Sequence, residues 1–197
     1  RLKEMTRRSI KTSTYIMAPL MMGMAFCSTP IIRLFLTEKW LLCIPYLRIF
    51  CITYLFYPIH TANLNAIMAV GRSDIDLKIE VIKKIMEITI LLITMRYGVM
   101  TIAYSLIVIS VVNQMINSFP NKRLINYSYF EQIRDILPTI VLASVMGAIV
   151  YAIGFLQINE FWLLIVQVLV GGVVYISGSK ILKLEALSYL EERLFNI

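Results

Sequence analysis

The side chains with chemistry to offer lie, unusually, on the most apolar stretches of the chain. The run Leu41–Val70 holds Pro45, Arg48, Pro58, His60, Asn63 and Asn65. Within it Thr53, Tyr57, Thr61 and Asn65 recur every four residues, and His60 borders them. On a helix that spacing draws one polar face along an apolar rod. Such a face either lines a solvated cavity or hydrogen-bonds a neighbouring helix. Pro58 lacks a backbone donor, so a kink is expected there. Arg48 falls about 10 Å inside its helix end. A guanidinium at that depth either snorkels to the interface or meets an anion. Arg33, nearer a helix end, reads as an interfacial anchor.

The next run carries Glu80, Lys83, Lys84 and Glu87. Spacing of four pairs Glu80 with Lys84, and Lys83 with Glu87 in the weaker order. Glu87 is then either a structural partner or a protonatable coupling group. Further on, Ser110, Asn113, Gln114 and Asn117 gather into a polar patch. No reaction centre accompanies these groups. The sequence has one His, no GxSxG, no glycine-rich loop leading to Lys and no Cys/His metal spacing. Cys27, Cys43 and Cys51 sit in apolar runs and read as buried thiols. The expectation is a non-enzyme with no catalytic residues, no cofactor and no metal.

What must position these groups is a set of membrane helices. Hydrophobic residues make up 59% of the sequence and charged residues only 16%, with a mean hydropathy of +0.77. That composition excludes an ordinary soluble domain. It also turns the net charge of +7 into a topology signal rather than a nucleic-acid signal. The fold class expected is all-α, a polytopic transmembrane bundle with no separate second domain. A hydrocarbon core needs about 20 helical residues. Six runs answer: Thr12–Leu36, Leu41–Val70, the short Val81–Met95, Gly98–Phe119, Ile136–Leu156 and Phe161–Leu182. Gly71 should stop the second, and Ser73 with Asp76 resembles a capping box opening the third. Tyr97-Gly98 turns into the fourth, Pro120-Asn121 ends it, and Gln157–Glu160 is a tight turn. Ala143, Gly147, Gly171, Gly172 and Gly178 suit close contact of a peripheral last pair. Glu185–Arg193 reads as a surface amphipathic helix.

With the N-terminus in the cytoplasm, 15 of the 19 basic residues fall on the inner side, leaving Arg33, Lys39, Arg48 and Arg96 outside. That split places both ends in the cytoplasm. Trp40 and Trp162 then both meet the outer interface. The opening Arg1-Leu2-Lys3-Glu4, without an initiator Met, reads as the continuation of a longer chain.

Several of these stretches together resemble a known family. They are Leu36-Thr37-Glu38-Lys39-Trp40, then Tyr57-Pro58-Ile59-His60-Thr61-Ala62-Asn63-Leu64, then Gly71-Arg72-Ser73-Asp74, and finally Lys83-Lys84. The combination is similar to the C-terminal half of bacterial polysaccharide flippases, which export O-antigen and exopolysaccharide units. These belong to the multidrug, oligosaccharidyl-lipid and polysaccharide exporter superfamily. The resemblance implies two helical lobes around a cavity open alternately to each side. It implies a substrate of sugar oligomer on undecaprenyl pyrophosphate, in the bacterial inner membrane. Implied partners are membrane lipids, an N-terminal lobe that precedes these residues, and polysaccharide polymerase machinery. The cavity candidates are Arg48, Tyr57, His60, Asn63, Asn65 and Lys83, with Arg48 and Lys83 meeting the pyrophosphate and Glu87 as coupling group. A multidrug extruder of the same superfamily would favour cavity carboxylates over Arg, and a membrane scaffold would need no polar face.

Overall fold

The computed structural model describes residues 1–156 and 158–189, and among these no strand occurs. Eight helices follow in order: α1 (Leu2–Phe26), α2 (Ser28–Phe35), α3 (Ile44–Leu55), α4 (Tyr57–Ala69), α5 (Ser73–Thr94), α6 (Val99–Leu124), α7 (Tyr129–Ile153) and α8 (Glu160–Ile181). Two 3₁₀ segments, Glu38–Cys43 and Met95–Tyr97, precede α3 and follow α5.

Four stretches are long and apolar enough to cross a membrane: Glu38–Ala69, Val99–Leu124, Tyr129–Ile153 and Glu160–Ile181. The bent pair α1 and α2 makes a fifth if it forms one span. The first expected span is therefore not one rod, because α1 and α2 meet at Cys27 with a bend of 71°. Pro30 explains the break. It has no amide for the Phe26 carbonyl, and its ring crowds that oxygen. Glu38–Ala69 is interrupted at Phe56, which is the N-cap of α4. Pro58 is thus the second residue of a new helix, where a missing N–H leaves nothing unsatisfied. The chain is interrupted just before the proline that was expected to kink it.

Other boundaries moved for identifiable reasons. The capping box at Ser73 does not form, since Arg72 is the N-cap and no side chain caps the helix. Gly71, at φ +76°, releases the chain from α4 in a conformation open to glycine. Arg72 then forks onto Asp74 at 2.8 and 3.0 Å. α5 begins eight residues before the expected Val81, and its charges keep it outside the apolar set. Gly98, at φ +97°, opens α6 as the turn signal implied. Pro120 does not end α6, which continues to Leu124 and stops before Asn126 at φ +53°. α7 starts at Tyr129 rather than Ile136 and carries Pro138 inside it. The turn before α8 is capped by Asn159, whose Oδ1 accepts from the Phe161 amide at 3.0 Å, while Gln157 lies outside the described residues. Of the tail helix, residues 185–189 are helical and the rest is not described.

The chain forms two compact units. The first comprises Arg1–Ile10 with Phe56–Asp135, and the second Lys11–Leu55 with the chain from Ile136 onward. In the first unit α4, α5 and α6 pack mutually. In the second, only some of the small residues lie between α7 and α8 as expected. Gly147 leaves room for the Phe26 ring and Gly178 for Leu142, while Gly171 faces Val150. Ala143 is fully buried, and Gly172 borders open space.

Candidate functional site

In the first unit α4 separates its polar residues onto two faces. Tyr57, Thr61 and Asn65 are exposed, at the four-residue spacing that one face of a helix requires. Tyr57 stacks near His60, with ring centroids 5.6 Å apart. His60 is half-buried, and its Nδ1 lies 2.5 Å from the side-chain amide nitrogen of Asn117 on α6. His60 is also within electrostatic reach of Lys83, Glu80, Glu87 and Asp76. Asn63 occupies the opposite situation. Its side chain is wholly enclosed rather than on the exposed face.

Asn63 is the centre of a buried hydrogen-bond hub. Its Nδ2 donates to Ser118 Oγ at 3.0 Å and to Gln132 Oε1 at 2.8 Å. Its Oδ1 accepts from Asn121 at 2.7 Å and from Gln132 at 3.0 Å, and its carbonyl accepts from Asn121 at 3.0 Å. The Ser118 hydroxyl closes the ring by donating to Gln132 at 3.1 Å. Every hydrogen-bonding group of the Asn63 side chain is thereby used. Ser118, Asn121 and Gln132 are each no more than 1% exposed. The tertiary bonds from Asn121 also account for α6 continuing past Pro120, because they fix the turn that the proline's lost bond would loosen.

The hub connects to charged groups at one end of the unit. Gln132 Nε2 reaches the Tyr127 carbonyl at 3.4 Å, and the Tyr127 hydroxyl donates to Asp135 at 2.8 Å. Arg7, in the second turn of α1, forks onto the same Asp135 at 2.7 and 2.5 Å. Lys3 pairs with Glu131 at 2.9 Å and lies 5.6 Å from the Tyr127 ring centre. Burial, and next the Asp135 hydrogen bond, raise the Tyr127 phenol above its ordinary range. Ser118, Asn121, Tyr127, Gln132 and Asp135 were not among the expected functional residues. One signal for the first two exists: Gln114, Asn117, Ser118 and Asn121 continue a single helical face across Pro120.

On α5 the expected four-residue pairs are replaced by three-residue ones. Lys83 pairs with Glu80, and Lys84 with Glu87 at 2.8 Å. Lys83 is only 2% exposed, so its amine must turn back to the half-buried Glu80 rather than forward. Glu87 is held instead by Lys84 and by the Asn113 amide at 2.9 Å. The buried oxygens Asp76 Oδ1, Asn113 Oδ1, Gln114 Oε1 and Asn117 Oδ1 have no donor among the described residues. This stretch of α5 and α6 is thus rich in acceptors.

In the second unit Arg48 is half-buried on α3. Its Nε donates to Ser28 Oγ at 3.0 Å, and Ser28 is fully buried on α2. Among the described residues no carboxylate pairs with Arg48. The serine fixes one edge of the guanidinium and leaves its two terminal nitrogens to fork onto an anion. Thr53 bonds the Ile49 carbonyl of its own helix at 2.9 Å. Arg33 pairs with Glu160 at 2.6 Å, as suits a helix-end anchor.

Fold and site together define a polytopic all-α membrane bundle that carries polar and charged groups inside apolar helices. A family model described as "Polysaccharide biosynthesis protein" matches residues 1–45, which take in α1, α2 and the approach to α3. No curated protein and no solved structure matches the chain. That match covers less than a quarter of the chain, whose helices have the build of part of a polytopic membrane protein.

Proposed function

We propose that this chain is the C-terminal part of a flippase that carries an undecaprenyl-pyrophosphate-linked oligosaccharide across the bacterial cytoplasmic membrane. The observation that carries this reading is the exposed polar face Tyr57–Thr61–Asn65 on an otherwise apolar span. Exposed polar groups at membrane depth are costly against lipid and are explained by a water-filled cavity. The match to a polysaccharide-biosynthesis family over residues 1–45 supports the same direction. In this account Tyr57, His60 and Asn65 of the first unit meet sugar hydroxyls, and Arg48 of the second is the first candidate cation for pyrophosphate, with Lys83 the alternative. Asn63 shapes the wall through its hub, and Glu87 is the coupling group. An N-terminal lobe supplies the remainder of the cavity. No bond is made or broken, so the protein is not an enzyme. Polysaccharide polymerase machinery receives the translocated unit.

The account takes α5 as a sixth span. Its 22 residues reach about 33 Å, enough for a hydrocarbon core about 30 Å thick. Pairing Lys83 with Glu80 and Lys84 with Glu87 reduces the cost of charge near that core. With both termini cytoplasmic, Ser128 and Asn159 flank α7 on opposite sides of the membrane. In a protein lacking the native cysteines, Cys introduced at Ser128 is expected to react only from the cytoplasm, and Cys at Asn159 only from outside. Labelling of Ser128→Cys from outside would overturn the orientation.

The polar face itself is tested by Thr61→Val combined with Asn65→Leu in the whole protein. Each side chain is exposed, so folding should be little affected. A neutral hydrogen bond contributes about 0.5–1.5 kcal/mol, so export of surface polysaccharide in a flippase-deficient cell should fall several-fold. Membrane abundance should stay at the parental level. Unchanged export would favour a scaffold. Restored drug resistance without polysaccharide export would favour a multidrug extruder.

A further inference from the structure

The second unit contains two cavities that share one side chain, Gln167 of α8. One, of about 210 Å³, is walled by Phe26, Tyr151 and Phe155 and bordered by the Arg33–Glu160 ion pair. The other, of about 370 Å³, is almost wholly apolar, with Leu20, Met24 and Ile176 on its walls and Gly23 and Gly172 leaving it open. Gln167 is 2% exposed. Its Nε2 donates to the Val150 carbonyl at 3.0 Å, while its Oε1 has no donor among the described residues. A buried amide oxygen is normally satisfied, and because Gln167 lines both cavities a molecule held there can supply the donor.

The walls specify that donor. Aromatic side chains suit a cation, and Glu160 supplies a carboxylate in the same lining. Arg33 offers a guanidinium for an anion at the same mouth. One group carrying both charges fits this arrangement, and an apolar groove beside it suits a hydrocarbon chain. We propose that these cavities hold one phospholipid whose zwitterionic headgroup bears a primary ammonium. Its ammonium donates to Gln167 Oε1 and Glu160, its phosphate meets Arg33, and one acyl chain lies along the groove past Gly172. A trimethylated ammonium has no N–H and leaves Gln167 unsatisfied, so the site distinguishes phosphatidylethanolamine from phosphatidylcholine. The inference concerns α1, α2, α7 and α8 and does not depend on transport.

The test is native mass spectrometry of the whole purified protein, stripped of lipid and then given phosphatidylethanolamine, phosphatidylcholine or phosphatidylglycerol in turn. Phosphatidylethanolamine should be retained as a one-to-one adduct at least five-fold better than either of the others. Gln167→Leu and Glu160→Gln should each remove that preference. Gly172→Leu projects into open space, leaves the fold intact and fills the groove, so it should abolish retention of all three lipids. A thermal melt run alongside shows that each variant is folded. Equal retention of the three lipids by the parent, no retention by the parent, or full retention by folded Gly172→Leu overturns the proposal.

Discussion

Arg48→Gln in the whole protein is expected to lower export per folded molecule about ten-fold or more, while Arg48→Lys keeps part of it. The asymmetry follows from hydrogen-bond geometry. Ser28 holds the guanidinium by its Nε edge, so the terminal nitrogens are presented as a fork that pyrophosphate oxygens can accept from. Lys supplies charge without the fork, and Gln and Ala supply neither. A hydrogen bond to a charged group contributes about 1.5–3 kcal/mol, which sets the ten-fold scale. Arg33→Gln is the control, because Arg33 is exposed and already paired with Glu160. Should Arg48→Gln export as well as Arg33→Gln and the parent, Arg48 is an interfacial anchor and Lys83 becomes the cation to test. Loss of protein from the membrane in step with loss of export would likewise make Arg48 an anchor.

Asn63→Ala carries the largest expected cost in stability. It leaves the amide of Gln132, the amide of Asn121 and the hydroxyl of Ser118 short of partners in a region without solvent access. A single interhelical hydrogen bond in a membrane protein averages only about 0.6 kcal/mol. Asn121 keeps the residue-63 carbonyl, Ser118 keeps Gln132 and Gln132 keeps the Tyr127 carbonyl, so the cost comes from the lost side-chain bonds together with the space left by the amide. We expect about 2–4 kcal/mol, read as a lower midpoint of thermal unfolding and reduced membrane abundance. Asn65→Ala, two residues along on the exposed face, should stay within about 0.5 kcal/mol of the parent. Similar melting of the two variants would show that the hub does not hold α4 to α6 and α7.

The contrast between these two asparagines marks what a sequence can and cannot convey. Four-residue spacing put Thr53, Tyr57, Thr61 and Asn65 on one face; the last three lie on one face of α4, because helical periodicity is a local property, but Thr53 is half-buried on α3, before the interruption at Phe56. Whether a polar residue beside that face is enclosed depends on its neighbours. Asn63 is buried because Ser118, Asn121 and Gln132 converge on it from residues 55 to 69 positions away. Pro58, read as a kink, instead stands in the first turn of a new helix, where a proline is tolerated. Pro120 misled for the reason that Asn121 is anchored by distant bonds, and tertiary contacts override a local breaker. The charge pairs of α5 show the same limit. Spacing permits partners at three or four residues, and the burial of Lys83 selected three. The place of Arg33 near a helix end was legible, whereas its partner Glu160 had to come from α8.

The central claim is translocation of a lipid-linked oligosaccharide, and reconstitution tests it most directly. The whole protein is placed in liposomes carrying a fluorescent undecaprenyl-pyrophosphate oligosaccharide in the inner leaflet only. Arrival in the outer leaflet is timed by cleavage with an externally added, membrane-impermeant glycosidase. The account predicts cleavage well above that of protein-free liposomes, reduced about ten-fold by Arg48→Gln and several-fold by the Thr61→Val, Asn65→Leu pair. Cleavage no faster than in protein-free liposomes, from protein shown to be folded, would contradict it.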